Sequence, residues 1–223
     1  MFYRNLGNSG LKVSAISLGS WLTFGQSVDD ETTEAIMTTA YENGVNFFDG
    51  AEAYGPYKAE EAMGRAFKKM DWPRDTLIIS SKVSNNAGGK PSNTGQNRKH
   101  LVEACDQALQ RMNLDYLDLF FCHRPDPETP LEETVRTMNE LIQRGKIFYW
   151  GTSEFSQADL MEMHAIADRL GMVGPLMEQT GYNMLGRGRM EKQLLPLFER
   201  YGMGSTVYSP LCSGMLTGKY NDG

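Results

Sequence analysis

Cysteine is scarce: Cys105, Cys122 and Cys212 are the only three among 223 residues. Their odd number and wide spacing exclude a disulfide framework and a Cys-x-x-Cys zinc or redox site. A reducing, cytoplasmic setting is the expectation. Basic residues are outnumbered too, with 22 Lys plus Arg against 28 Asp plus Glu and a formal charge of −6 at pH 7. That leaves no electrostatic footprint for nucleic acid or an anionic membrane surface. No apolar run approaches the ~18 residues that span a bilayer, so direct membrane insertion is not expected. A signal-peptide core is missing from the first 20 residues. No His, Cys or carboxylate spacing matches a metal motif. What is present, 40% apolar and 22% charged residues, suits a globular chain and is too apolar for a disordered one.

Seven short apolar runs have strand character: Ala15–Leu18, Val45–Phe48, Leu77–Ser81, Leu117–Cys122, Ile147–Gly151, Leu176–Gln179 and Ser205–Ser209. Their starts lie 30, 32, 40, 30, 29 and 29 residues apart, close to the length of a strand, a helix and two loops. Helical patterns fill most intervals. Asp29 or Asp30 caps one that runs to Asn43-Gly44, and others cover Ala59 to Lys69 and Lys99 to Met112. A helix opens at Thr129-Pro130 with Pro130 at its first position, and another at Ser156. Glu191 to Arg200 is a weaker helix, kinked or shortened by Pro196. Strands alternating with helices at this period predict an α/β protein with a mostly parallel sheet in one domain, residues 1–223. No Gly-x-Gly-x-x-Gly follows the first strand, which favours a barrel over an open doubly wound sheet. Phe2 to Val13, with the turn Gly7-Asn8-Ser9-Gly10, reads as a hairpin at the barrel floor.

In such barrels the chemistry lies at the C-terminal ends of the strands. Those ends carry Asp49 with Tyr54 just beyond, Lys82, His123, Ser153, Gln179 and Tyr208-Ser209. Any one of them alone is commonly a turn former, a helix cap or a solvated charge. Asp49, Tyr54, Lys82 and His123 together have a chemical logic. A nearby ammonium is expected to lower the tyrosine pKa from its usual value of about 10. Asp49 would hold Lys82 charged, and a neutral His123 would orient a carbonyl oxygen toward Tyr54. The group can polarise and protonate a ketone or aldehyde but holds no electron pair to give, which implies a nicotinamide cofactor. A Schiff-base aldolase using Lys82 is the competing reading; it needs a neutral amine, which Asp49 opposes. Gly88-Gly89-Lys90 is not a phosphate loop, because Ser84 stands where the first glycine is required.

The stretch Phe47-Phe48-Asp49-Gly50-Ala51-Glu52-Ala53-Tyr54-Gly55 resembles the F-D-T-A-x-x-Y-G signature of the aldo-keto reductase superfamily, with Gly50 in place of Thr. His123-Arg124-Pro125-Asp126-Pro127, Tyr149-Trp150-Gly151-Thr152-Ser153 and Ser209-Pro210-Leu211 resemble the branch of voltage-gated potassium channel β-subunit-like reductases. The resemblance implies a TIM (β/α)8-type barrel, NADPH as cofactor and a small carbonyl substrate. It implies Asp49, Tyr54, Lys82 and His123 as the catalytic tetrad, Tyr54 being the general acid. Ser153 and Gln179 match residues that bind the nicotinamide carboxamide, and Tyr208 the aromatic that stacks on its ring. Ser209, Pro210, Leu211 and Lys219 align with the pyrophosphate-binding stretch, while Ser20, Trp21 and Gln26 match positions that line the cofactor and substrate cleft. Glu154 departs from the usual cofactor-contacting Asn. Relatives continue past the equivalent of Gly223 with an eighth strand, so the expectation is a chain truncated after strand seven. A homotetramer, and an ion-channel partner for a redox-sensing accessory subunit, are further implications of the branch.

Overall fold

The computed structural model describes residues 1–85 and 89–221; Gly88 of the glycine pair weighed above lies outside the described residues. Strands β1 (Tyr3–Asn5) and β2 (Lys12–Ser14) form an antiparallel hairpin with Tyr3 opposite Ser14. Seven further strands make one sheet in chain order: β3 (Leu18–Gly19), β4 (Phe47–Asp49), β5 (Ile78–Val83), β6 (Leu117–Cys122), β7 (Ile147–Ser153), β8 (Met177–Gly181) and β9 (Gly204–Tyr208). Every adjacent pair is parallel. Each of the seven runs read from the sequence overlaps a strand, with starts displaced by up to three residues.

Between the strands lie α1 (Asp30–Glu42), α2 (Lys58–Met70), α3 (Arg98–Met112), α4 (Leu131–Gln143), α5 (Gln157–Leu170) and α6 (Leu195–Tyr201). Their starts follow local chemistry. Asp29 accepts the Thr32 N–H at 2.8 Å, Asn97 accepts that of His100 at 3.0 Å, and Ser156 with Asp159 forms a reciprocal capping box. One expectation needs correction. Pro130 sits at the cap position with extended backbone, and the first helical residue is Leu131. Pro196 falls inside a helical stretch, as the sequence predicts: a π-helix over Arg189–Leu194 passes without a break into α6, and regular α-helical structure is confined to the short segment that begins beside the proline.

A strand order that never reverses is that of a TIM-type barrel rather than a doubly wound sheet. The curl is visible in the side chains. β4 and β8 are four strand spacings apart, roughly 19 Å in a flat sheet, yet Gln179 Nε2 lies 3.5 Å from Asp49 Oδ1. Alternation along the strands separates two layers. Phe48, Ile79, Phe120 and Trp150 face the helices in the larger core, and Phe47, Ile78, Leu119, Phe121 and Met177 fill the barrel interior. Leu6 and Val13 of the hairpin join that inner layer and close its lower end, as the sequence predicts. Gly7, at φ +55°, permits the closure: a Cβ there would stand 2.4 Å from the Gly202 carbonyl oxygen just below β9.

Candidate active site

Above this apolar floor the same inward alternation turns polar. Phe47 is followed two residues on by Asp49, Ile78 by Ser80 and Lys82, Phe121 by His123, and Met177 by Gln179. The Lys82 side chain is wholly buried, and its ammonium donates to three oxygens: Asp49 Oδ2 at 2.6 Å, the Gly50 carbonyl at 2.7 Å and the Tyr54 hydroxyl at 3.2 Å. Those contacts use every proton the ammonium has. Burial opposes the charge, but Asp49 and the hydrogen bonds outweigh it and raise the Lys82 pKa. A neutral amine for Schiff-base chemistry is therefore not what this pocket stabilises.

Because the Tyr54 oxygen accepts from Lys82, its own proton is left to donate elsewhere. The expected lowering of the Tyr54 pKa is not found. Burial raises it, and the opposing pull of the ammonium, itself offset by Asp49, does not compensate. The phenol consequently stays protonated at neutral pH. The His123 ring meets the Tyr54 ring edge-on with centroids 5.7 Å apart. Burial, with Lys82 and Arg124 adding to it, lowers its pKa to about 3, so the imidazole is neutral as read from the sequence.

Asp49 is itself held. Ser80 Oγ donates to Oδ1 at 2.6 Å, and Gln179 reaches the same oxygen while donating to Thr206 Oγ1 at 3.1 Å. Ser20 is fully buried, and its hydroxyl and backbone N–H both donate to the Asp49 carbonyl at 3.0 Å. Gly50, the departure from the signature, has its missing side chain's space taken: a Cβ would lie 2.8 Å from the Met112 methyl and 3.4 Å from the Met63 sulfur.

The mouth of the pocket is more open. Trp21 is over half exposed, its ring 6.4 Å from that of Tyr54, and Gln26 lies against Gly55. Ser153 Oγ accepts from Arg124 Nη1 at 3.0 Å. Glu154, at φ +62°, accepts from Thr180 Oγ1 at 3.0 Å, from the Gly181 N–H and from the Tyr208 hydroxyl at 3.1 Å, and faces Arg189 Nε at 3.5 Å. These contacts outweigh burial and lower its pKa. Ser209, at φ +49°, accepts from Asn183 Nδ2 at 3.2 Å through its carbonyl. Pro210, Leu211 and Lys219 lie exposed on the stretch after β9 and make no bond to the tetrad.

Sequence reading thus found the four inner groups but missed Ser80, Thr206, Arg124 and Arg189. Ser80 had a signal, standing two residues before Lys82 and so on the same face. Arg124 had one too, as the residue directly after His123, whereas Thr206 and Arg189 are brought in by neighbouring elements.

The profile described as "Aldo/keto reductase family" matches residues 15–223. A probable voltage-gated potassium channel subunit beta of Arabidopsis thaliana is 49% identical over the whole of this chain and 68% of its own length. The protein of that name in Oryza sativa subsp. japonica is 47% identical over the same shares. A putative voltage-gated potassium channel subunit beta of Schizosaccharomyces pombe is 49% identical over 99% of this chain and 65% of its own length. With its parallel strands in barrel order, its profile match over nearly every residue and relatives of this identity, the chain belongs to the aldo/keto reductase family.

Proposed function

We propose that the chain is an oxidoreductase that reduces aldehydes or ketones to alcohols, with Tyr54 as general acid and NADPH as the hydride source. The observation that carries this reading is the Lys82 ammonium bonded at once to Asp49 and to the Tyr54 oxygen. The donor set fits a nicotinamide carboxamide. Gln179 donates through Nε2 and accepts nothing on Oε1 among the described residues, and Ser153 accepts from Arg124 while keeping its own proton. Gln179 would accept from the carboxamide NH2 and Ser153 donate to its oxygen. Tyr208 would supply an aromatic face, and Ser209, Pro210, Leu211 and Lys219 the contacts to the pyrophosphate.

When bound, NADPH supplies a hydride to the carbonyl carbon. The residues of the chain do the rest. Neutral His123 orients the carbonyl oxygen toward Tyr54, whose proton passes to that oxygen as negative charge develops on it. Lys82 stabilises the phenolate left behind, and Asp49 keeps Lys82 charged and in place. The apolar floor under the tetrad excludes water from the reacting atoms.

A second reading is a redox-sensing accessory subunit that binds NADPH and turns over little. It is favoured by what the relatives are named for, channel β-subunits. Assembly as a homotetramer, a cytoplasmic location and contact with a channel belong to that reading. No helix among the described residues is long and apolar enough to cross a membrane, so a channel contact would be peripheral.

The test is NADPH oxidation with 4-nitrobenzaldehyde by the wild type and by Tyr54→Phe. Loss of roughly 10²- to 10⁴-fold in kcat, with the NADPH dissociation constant held within about threefold, is expected. Equal rates in the two proteins would remove Tyr54 as the acid. NADPH binding without turnover in either would favour the sensor.

A further inference from the structure

Arg124 follows His123 directly and stands at the rim between β6 and β7. Its Nη1 donates to the His123 carbonyl oxygen at 2.5 Å and to Ser153 Oγ at 3.0 Å. Ser153 lies on the inward-facing alternation of β7, so this bond holds the guanidinium of the exposed Arg124 at the mouth of the pocket. Most arginines of the chain meet carboxylates, as Arg74 does Asp118, Arg111 Glu60 and Arg189 Glu178, while Arg4 and Arg200, like Arg124, form no ion pair among the described residues. Among the described residues Arg124 has no carboxylate within ion-pair distance. The two carboxylates of the site are otherwise engaged, Asp49 by Lys82 and Glu154 by Gly181, Thr180, Tyr208 and Arg189. An unpaired guanidinium at the entrance of a pocket in a chain of net charge −6 is a fixed local attraction for an anion.

We propose that Arg124 is a specificity-determining residue that makes the pocket favour carbonyl substrates carrying a carboxylate, the guanidinium pairing with that group while the carbonyl oxygen lies at Tyr54 and His123. The proposal rests on the reductase reading for the carbonyl, but not for the anion site. Arginine suits the task, since its planar donors match a carboxylate two to two. A charge-assisted pair of this kind gives a preference of roughly 10- to 100-fold.

The test compares 4-formylbenzoate with 4-formylbenzamide, which is planar, similar in size and neutral. The ratio of their kcat/KM values is measured with NADPH for the full chain and for Arg124→Gln and Arg124→Lys. Comparing one ratio across proteins cancels the intrinsic reactivity of the two aldehydes. It is expected to fall at least about tenfold in Arg124→Gln and to be partly retained in Arg124→Lys. In the wild type it should shrink as salt is raised. Calorimetric binding of 4-(hydroxymethyl)benzoate and its amide, with NADPH present, gives a readout independent of turnover. The same ratio in all three proteins, or carboxylate and amide bound equally well, would overturn the proposal. Carboxylate binding that depends on Arg124, with neither aldehyde reduced, would sink the reductase reading and leave the anion site standing.

Discussion

The inner and outer faces of the same strands carry very different polar groups. On β5, Ser80 and Lys82 point into the barrel and meet Asp49 and Tyr54, while Ser81 between them points outward and donates to Glu60 of α2 at 2.5 Å. On β8, Gln179 faces Asp49 and Thr206, whereas its neighbour Glu178 faces outward to Thr152, the Phe155 N–H and Arg189. Both faces hold buried charge; the outer pairs join strand to helix or loop, and Arg111 Nη2 is left buried without a hydrogen-bond partner among the described residues. Inside, the Tyr54 hydroxyl proton has no partner among the described residues and His123 is kept neutral beside it. Buried ion pairs as such therefore do not distinguish the candidate site; an unspent phenol proton beside a neutral imidazole does.

The largest expected effect separates the faces by cutting one pair on each. Lys82→Met leaves Asp49 buried without its partner, and Arg111→Met does the same to Glu60. Each should lower stability by about 3 to 5 kcal/mol, read as denaturant midpoint. Only Lys82→Met should also abolish carbonyl reduction, by roughly 10³-fold. Comparable loss of rate in Arg111→Met would erase the distinction.

Next comes pH, where the faces should act with opposite sign. Glu178, raised to about 7 mainly by burial, keeps a proton in the folded chain that the unfolded chain has already released. Its contribution to stability is present below the ordinary carboxylate range and lost as pH rises through 7. His123, lowered to about 3 mainly by burial, stays neutral where the unfolded chain takes up a proton. Its contribution is present above the ordinary imidazole value and lost as pH falls toward 3. Over their windows the first is worth about 3 kcal/mol and the second about 5 kcal/mol. Melting curves should show Glu178→Gln flattening the decline between pH 5 and 8, and His123→Gln flattening the decline below pH 6.5. Parallel curves for both variants and the wild type would contradict this.

The smallest test uses adjacent serines. Ser80→Ala and Ser81→Ala each remove one buried hydroxyl bonded to a carboxylate, at about 1 to 2 kcal/mol. Turnover should fall about three- to tenfold in Ser80→Ala, through a less firmly held Asp49, and stay within twofold in Ser81→Ala. Equal rates would show that Asp49 needs no help from Ser80.

The tetrad was legible because strand ends in a barrel share one destination, so Asp49, Lys82 and His123 could be placed together from spacing alone. What their meeting does to Tyr54 was not. An ammonium beside a phenol argues for a lower pKa, and burial reverses the sign. Neither Met112 and Met63 filling the space beside Gly50 nor Glu154 turning to Tyr208 and Arg189 leaves a trace in local pattern, since those partners come from other elements.

By itself the sequence determined the alternation of strand and helix, the caps at Asp29 and Ser156, and the inward face on which the candidate site groups lie. These depend on neighbours a few residues away and on periods of two and 3.6. The tertiary structure alone decided which protons remain available and which charges remain unpaired. Those depend on desolvation and on contacts between residues as far apart as Asp49 and Gln179, and only the curled sheet brings such residues within reach.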